Sequence, residues 1–273
     1  MSSASIVKKT AAVAAALCLL CAGGSVIGSA SSGVVELPVI PLTDENDVFE
    51  KNGFKYILEG TSASIVGCTL EDDDMLIIPA QINGWEVTSV EKGFLGEGAS
   101  FGTVVFPSTL KKIANRAINK ADVGKVVFPA GLTNIPEEAV CSKKMHKAYE
   151  EYLAGLGLGG NTGELDLMGQ TGLVKPVGNA LTVVCAKGSA AESYANAIGA
   201  EKQIMTGYTG LAGDINCDGV RNNRDIKQLQ KYITGSDASI FTPSFDVNGD
   251  GVINNPDMKH LQKYLIGENV KVY

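Results

Sequence analysis

The chain has 273 residues and a formal net charge of −7, from 23 basic and 30 acidic side chains, with two histidines. That length leaves room for more than one domain, and an acidic, unclustered balance argues against nucleic acid or anionic lipid as partner. Cys68, Cys141, Cys185 and Cys217 are scattered singly, without a C-x-x-C pair among them, which argues against a zinc site.

Residues 1–30 read as a secretory signal. Lys8 and Lys9 precede an apolar run at 11–22, and Gly28, Ser29 and Ala30 supply the small residues of a cleavage site. About twelve apolar residues are too few to span a bilayer. Cys18 and Cys21 lie in the run, but each follows a leucine (Leu17, Leu20) where a lipoprotein signal wants a small residue. Removing this segment takes away two lysines and no acids and moves the net charge to −9. Export permits a disulfide among the remaining cysteines, and the sequence favours no pair. Burial as small hydrophobes is the expectation for Cys68 and Cys185.

Self-similarity organises the mature chain. The run Val104-Val105-Phe106-Pro107 recurs as Val126-Val127-Phe128-Pro129, an offset of 22 that also relates Leu110 to Leu132, Ile113 to Ile135 and Ala117 to Ala139. A looser copy starts at Leu76-Ile77-Ile78-Pro79, passes Ile82, gains about five residues around Gly84 and Trp85, and resumes at Val90 and Phe94. Three β-branched or aromatic residues make a short strand, and proline ends it because it cannot donate to a ladder. The leucine, isoleucine and alanine after the proline point into a core that one unit cannot bury alone, so neighbours must stack.

These residues resemble the bacterial BspA-like leucine-rich-repeat family. The resemblance covers about residues 52–200, with Phe54 to Leu58 like its first strand and Leu181 to Ala195 like its closing strand and helix. It implies a β-rich solenoid over 34–205 and says little about function. Residues 142–180 break the register: a helical piece at 143–153 and a glycine-rich stretch to Gly172 read as an insertion or a degenerate repeat. Residues 206–212 read as a linker, short enough to hold the two parts of the chain close together.

The last part is duplicated. Residues 214–235 and 246–267 are identical at 14 of 22 positions. Calcium takes six to eight oxygens, and a loop offering them at positions one, three, five, seven, nine and twelve wraps such an ion. The first loop offers Asp214, Asn216, Asp218, the Val220 carbonyl, Asn222 and Asp225. The second offers Asp246, Asn248, Asp250, the Val252 carbonyl, Asn254 and Asp257. Gly219 and Gly251 hold position six, where the chain must turn sharply with positive φ. After each loop an apolar stripe (Ile226, Leu229, Tyr232, Ile233, then Met258, Leu261, Tyr264, Leu265) predicts a helix, with Gly235 and Gly267 at its C-terminal cap.

Aspartate at position twelve and the absence of an entering helix depart from the EF-hand, and both resemble type I dockerins. The resemblance implies a small all-α module at 213–270 holding two calcium ions and docking onto a cohesin of a scaffold protein, as in cellulosomes. It places recognition at Asn223, Arg224, Gln230 and Lys231 and at Asn255, Pro256, Gln262 and Lys263. Arg221 departs from the family, since that position usually holds an aliphatic residue, as Ile253 does.

Other signals lead nowhere specific. Gly155 to Gly160 matches G-x-G-x-x-G but follows a helical pattern rather than a strand, so a loop is expected. The acidic run 71–74 reads as a solvated turn between strands, and His260 as a residue on the exposed side of a helix. Neither His146 nor His260 has a nucleophile motif beside it. Trp85 and Tyr56 read as core or capping aromatics before a sugar platform. The sequence thus favours a multidomain, secreted, non-catalytic cellulosome-type component acting in polysaccharide degradation, held at the cell surface through its scaffold. Its repeat domain would present a face to protein or glycan. A dockerin-tethered glycoside hydrolase and a surface adhesin are the alternatives.

Overall fold

The computed structural model describes residues 47–155, 178–236 and 243–273. The expected secretory segment, the glycine run beyond Gly155 and the glycine-rich stretch to Gly172 lie outside the described residues.

The chain enters through an antiparallel ribbon, β1 (Phe49–Lys51), β2 (Phe54–Glu59) and β3 (Ser62–Cys68). β2 is the strand expected at Phe54; its two neighbours were not legible. β4 (Asp73–Ile77) comes next, so the second half of the acidic run is strand rather than turn, and Asp72 accepts a hydrogen bond from Ser100 N–H at 2.8 Å. The extra residues of the loose repeat, around Gly84 and Trp85, fall in a hairpin, β5 (Gln81–Ile82) and β6 (Trp85–Val90). Its turn residues Asn83 and Gly84 both have positive φ (50° and 80°), as a tight hairpin turn requires.

From there the chain coils. β7 (Ser100–Val105), β8 (Lys112–Ile113), β9 (Ile118–Asn119), β10 (Asp122–Val127) and β11 (Val140–Cys141) precede α1 (Lys143–Gly155). β12 (Gly178–Cys185), α2 (Ala190–Ile198) and β13 (Ala200–Ile204) close this part. One parallel sheet has the order β13-β12-β10-β7-β4. Its register lines up Leu76, Val104, Val126 and Val183, all buried, so residues 22 apart pair directly. A second side pairs β6 with β8, and a third joins Leu95, Ile118 and Val140.

Inside, the residue before Pro107 stacks on the residue before Pro129. Phe106 lies 4.9 Å from Phe128 with rings 2° apart, and Phe94 and Tyr194 close the column edge-on at 6.3 and 5.8 Å. The backbone completes the stack: Phe106 N–H donates to Val127 O and Phe128 N–H to Val184 O. Tyr56 belongs to this core and Trp85 packs against it half-buried. Cys185 is buried, but Cys68 is only half-buried because it sits at the end of β3. Among the described residues no disulfide joins Cys68, Cys141, Cys185 or Cys217.

Because side chains alternate along a strand, Ile77, Val105, Val127 and Val184 point to the sheet's other face. There they are covered by Met205, Tyr208 and Cys217. The described residues from 47 onward thus belong to one compact unit. Its remaining core lies between α3 (Asn223–Ile233) and α4 (Asn255–Leu265), where Ile215, Leu229, Phe245, Val247 and Leu261 are fully buried. Tyr232 meets Phe245 edge-on at 4.9 Å.

Candidate metal centre

Each helix is set up by the loop before it. Asp225 accepts from Asn222 N–H at 2.7 Å and Asp257 from Asn254 N–H at 2.8 Å, so position twelve caps the first helical turn. Each helix ends in a glycine with φ of 71° or 87°. Gly235 N–H reaches Tyr232 O and Ser236 N–H reaches Lys231 O, and the second unit repeats the pattern at Gly267 and Glu268.

Position one closes the loop from inside. Asp214 accepts from Asp218 N–H at 3.1 Å and Gly219 N–H at 2.9 Å. Asp246 accepts from Gly249, Asp250 and Gly251 N–H at 2.9, 3.0 and 2.9 Å. Gly219 and Gly251 both have φ of 87°, as the sharp turn at position six demands. At position three Asn216 and Asn248 donate to Asp218 and Asp250, and position five accepts from the N–H of Val220 and Val252. The Val220 and Val252 side chains stand in solvent.

Asp214, Asp225, Asp246 and Asp257 are buried, and their described partners are main-chain N–H groups rather than basic side chains. Burial foremost raises the Asp246 carboxyl to about 7, opposed by the Gly251 N–H and helped by the Asp257 and Asp250 charges. Asp257 is raised too, again chiefly by burial. Among the described residues no group of three or more His, Cys, Asp or Glu side chains forms a metal site by itself. The loops combine carboxylates with amide and main-chain oxygens, the donor set of a hard cation.

One atom is informative. Asn254 Oδ1, at position nine, is buried without a hydrogen-bond partner. Its counterpart Asn222 Oδ1 accepts from Arg224 N–H at 2.8 Å. An orphaned buried oxygen beside buried carboxylates is costly, and an oxygen-coordinated cation satisfies both. The residues present fit calcium.

The eight recognition positions are all exposed: Asn223, Arg224, Gln230 and Lys231 on α3, Asn255, Pro256, Gln262 and Lys263 on α4. Seven residues separate the members of each pair (223 and 230, 224 and 231), so they line one stripe of their own helix. His260 is half-buried, its Nε2 2.7 Å from Lys271 O, because the residues after α4 fold back over it. Arg221, unremarkable in sequence except as a departure, spans the two units: Nε reaches Ala212 O and Nη1 reaches Tyr264 OH at 2.7 Å.

Two capped helices behind two acidic loops define a duplicated cation-loop module. The model of the type I dockerin domain matches residues 212–266, so the C-terminal part of the chain is a dockerin. No curated protein and no solved structure matches the chain. Type I dockerins bind calcium, which fits the donor set, and a dockerin implies a cohesin partner in a cellulosome-type, extracellular setting. No described helix is long and apolar enough to cross a membrane.

Proposed function

We propose that this chain is a secreted, non-catalytic cellulosome-type component. Residues 1–30 are its export signal, residues 213–270 hold two calcium ions and dock onto a scaffoldin cohesin, and the scaffold holds it at the cell surface. The observation that carries this is the dockerin match at 212–266 together with eight exposed residues at the recognition positions. Asp214, Asn216, Asp218, Val220, Asn222 and Asp225 serve the first ion. Asp246, Asn248, Asp250, Val252, Asn254 and Asp257 serve the second.

Residues 34–205 are read as a BspA-like leucine-rich-repeat domain with an insertion at 142–180, joined to the dockerin by a linker at 206–212. The direct pairing of residues 22 apart and the stacked Phe106 and Phe128 support that reading. The row Met75, Thr103, Lys125 and Thr182, half-exposed on the sheet face away from the core, is the surface it would present to protein or glycan in polysaccharide degradation.

The test is a pull-down from the native secretome with and without chelator, paired with a polysaccharide hydrolysis assay. Calcium-dependent capture of a cohesin-bearing scaffold without turnover is the expected result. Robust hydrolysis would establish the tethered glycoside hydrolase instead, and capture of cell-surface material without any scaffold would favour an adhesin.

A further inference from the structure

The second loop does not stand alone. Gln81 N–H donates to Gly249 O at 3.0 Å, and Gln81 Nε2 donates to Asn248 O at 3.0 Å. These are the main-chain carbonyls of loop positions three and four, and Gln81 lies in the repeat part, in β5 of the β5–β6 hairpin. A peptide unit is planar, so holding its carbonyl also orients its N–H. The two N–H groups of these same peptide units, on Gly249 and Asp250, donate to Asp246 Oδ1 from the inside. One glutamine therefore fixes, through two peptide planes, the carboxylate at position one.

The surroundings are built for this approach. A side-chain carbon at Gly249 would lie 2.9 Å from the Tyr273 ring and 3.2 Å from the Ala80 Cβ, and one at Gly251 would lie 3.2 Å from Ile77 O. Tyr273 N–H reaches Val247 O, and Lys271 pairs with Glu86 on β6, opposite Gln81 across the hairpin. The first loop leans elsewhere. Its position four is Cys217, which packs with Met205 and Tyr208, and the Cys217 carbonyl abuts Gly207.

We propose that Gln81 is a positioning residue for the second cation loop, contributed by the repeat part of the chain. The proposal rests on the calcium reading of the loops. Partners that orient a metal ligand without touching the metal typically carry about tenfold or more in affinity. Loss of the Gln81 side-chain amide weakens calcium binding at the second loop and leaves the first unchanged.

The experiment is calorimetric calcium titration of the full chain in two backgrounds, Asp214→Ala and Asp246→Ala, each with and without Gln81→Ala. Gln81→Glu, which keeps the side chain's size and loses its donor, serves as a second variant. The urea transition of the repeat part monitors folding throughout. The expected result is an affinity about tenfold lower in the Asp214→Ala background, where only the second loop can load, and no change in the Asp246→Ala background. The emission of Trp85, the only tryptophan and the pairing partner of Ile82 in the same hairpin, shifts with calcium in the first background alone. Equal affinities with and without the Gln81 amide, or equal losses in both backgrounds, overturn the proposal while leaving calcium binding intact. A wild-type chain that takes up no calcium overturns both the proposal and the reading beneath it.

Discussion

Asn254 and Pro256 are related by a missing hydrogen atom. In the first unit Asn222 Oδ1 is satisfied by the N–H two residues on, that of Arg224, whereas proline at the matching position has no N–H to give. The Asn254 oxygen is left free for a cation, and proline near the start of α4 also suits the first helical turn. Pro256→Ala restores a competing donor and loosens that turn. Calcium affinity of the second loop, measured in an Asp214→Ala chain, is expected to fall about threefold, within the worth of one hydrogen bond. An unchanged or tighter site would show that the free oxygen is irrelevant.

The Asp246 carboxyl makes the calcium-free dockerin pH-sensitive. Its folded value of about 7 lies above the ordinary aspartate value near 3.9. The calcium-free folded state therefore binds a proton that the unfolded chain has released. The stability that Asp246 contributes without calcium is fully present below about pH 4 and is lost as pH rises to about 7. Calcium must displace that proton, so affinity rises with pH until about 7 and then levels off. Calorimetry in buffers of different ionisation enthalpy should find close to one proton released per ion at the second loop at pH 6 and almost none at pH 8.5. A pH-independent affinity across that range would contradict the assignment.

Arg221 couples the two units. Besides the hydrogen bond to Tyr264 OH, its guanidinium lies 5.0 Å from the centre of the Tyr264 ring. Arg221→Ile, which copies the residue at the same place in the second unit, removes both contacts. The expected cost is about 1–2 kcal/mol of dockerin stability, read as a lower urea midpoint with calcium bound. No shift would mean the contact is not formed in solution.

Core truncations should report on separate parts of the chain. Phe106→Ala removes a fully buried ring from the stacked column and should cost about 3–5 kcal/mol, seen in the repeat-part transition. Leu229→Ala, at the centre of the α3–α4 core, should cost about 2–5 kcal/mol and abolish the helical signal of the dockerin unless calcium is in excess.

The legible parts of the molecule were those written twice. The 22-residue offset of Val104 and Val126 becomes a direct strand pairing, and the duplicated loops become matching turns at Gly219 and Gly251. What escaped the sequence was written once. β3 and β13 belong to no repeat, and β13 is a polar edge strand (Ala200–Ile204) without the alternation that marks a half-buried strand. Gln81 carries no motif, because its role is to meet a backbone 167 residues away. The extra residues around Gly84 were visible as an irregularity, yet nothing in the sequence said that they build the hairpin behind which the second loop rests.

The duplicated loops make a calcium-dependent plug for a cohesin, and one titration tests this most directly. Purified chain is titrated into a purified type I cohesin by calorimetry, once in millimolar calcium and once in excess chelator. Saturable binding is expected with calcium, with its loss in chelator and in the Asp214→Ala, Asp246→Ala double variant. Equal binding with and without calcium, or none under either condition against a panel of type I cohesins, would contradict it.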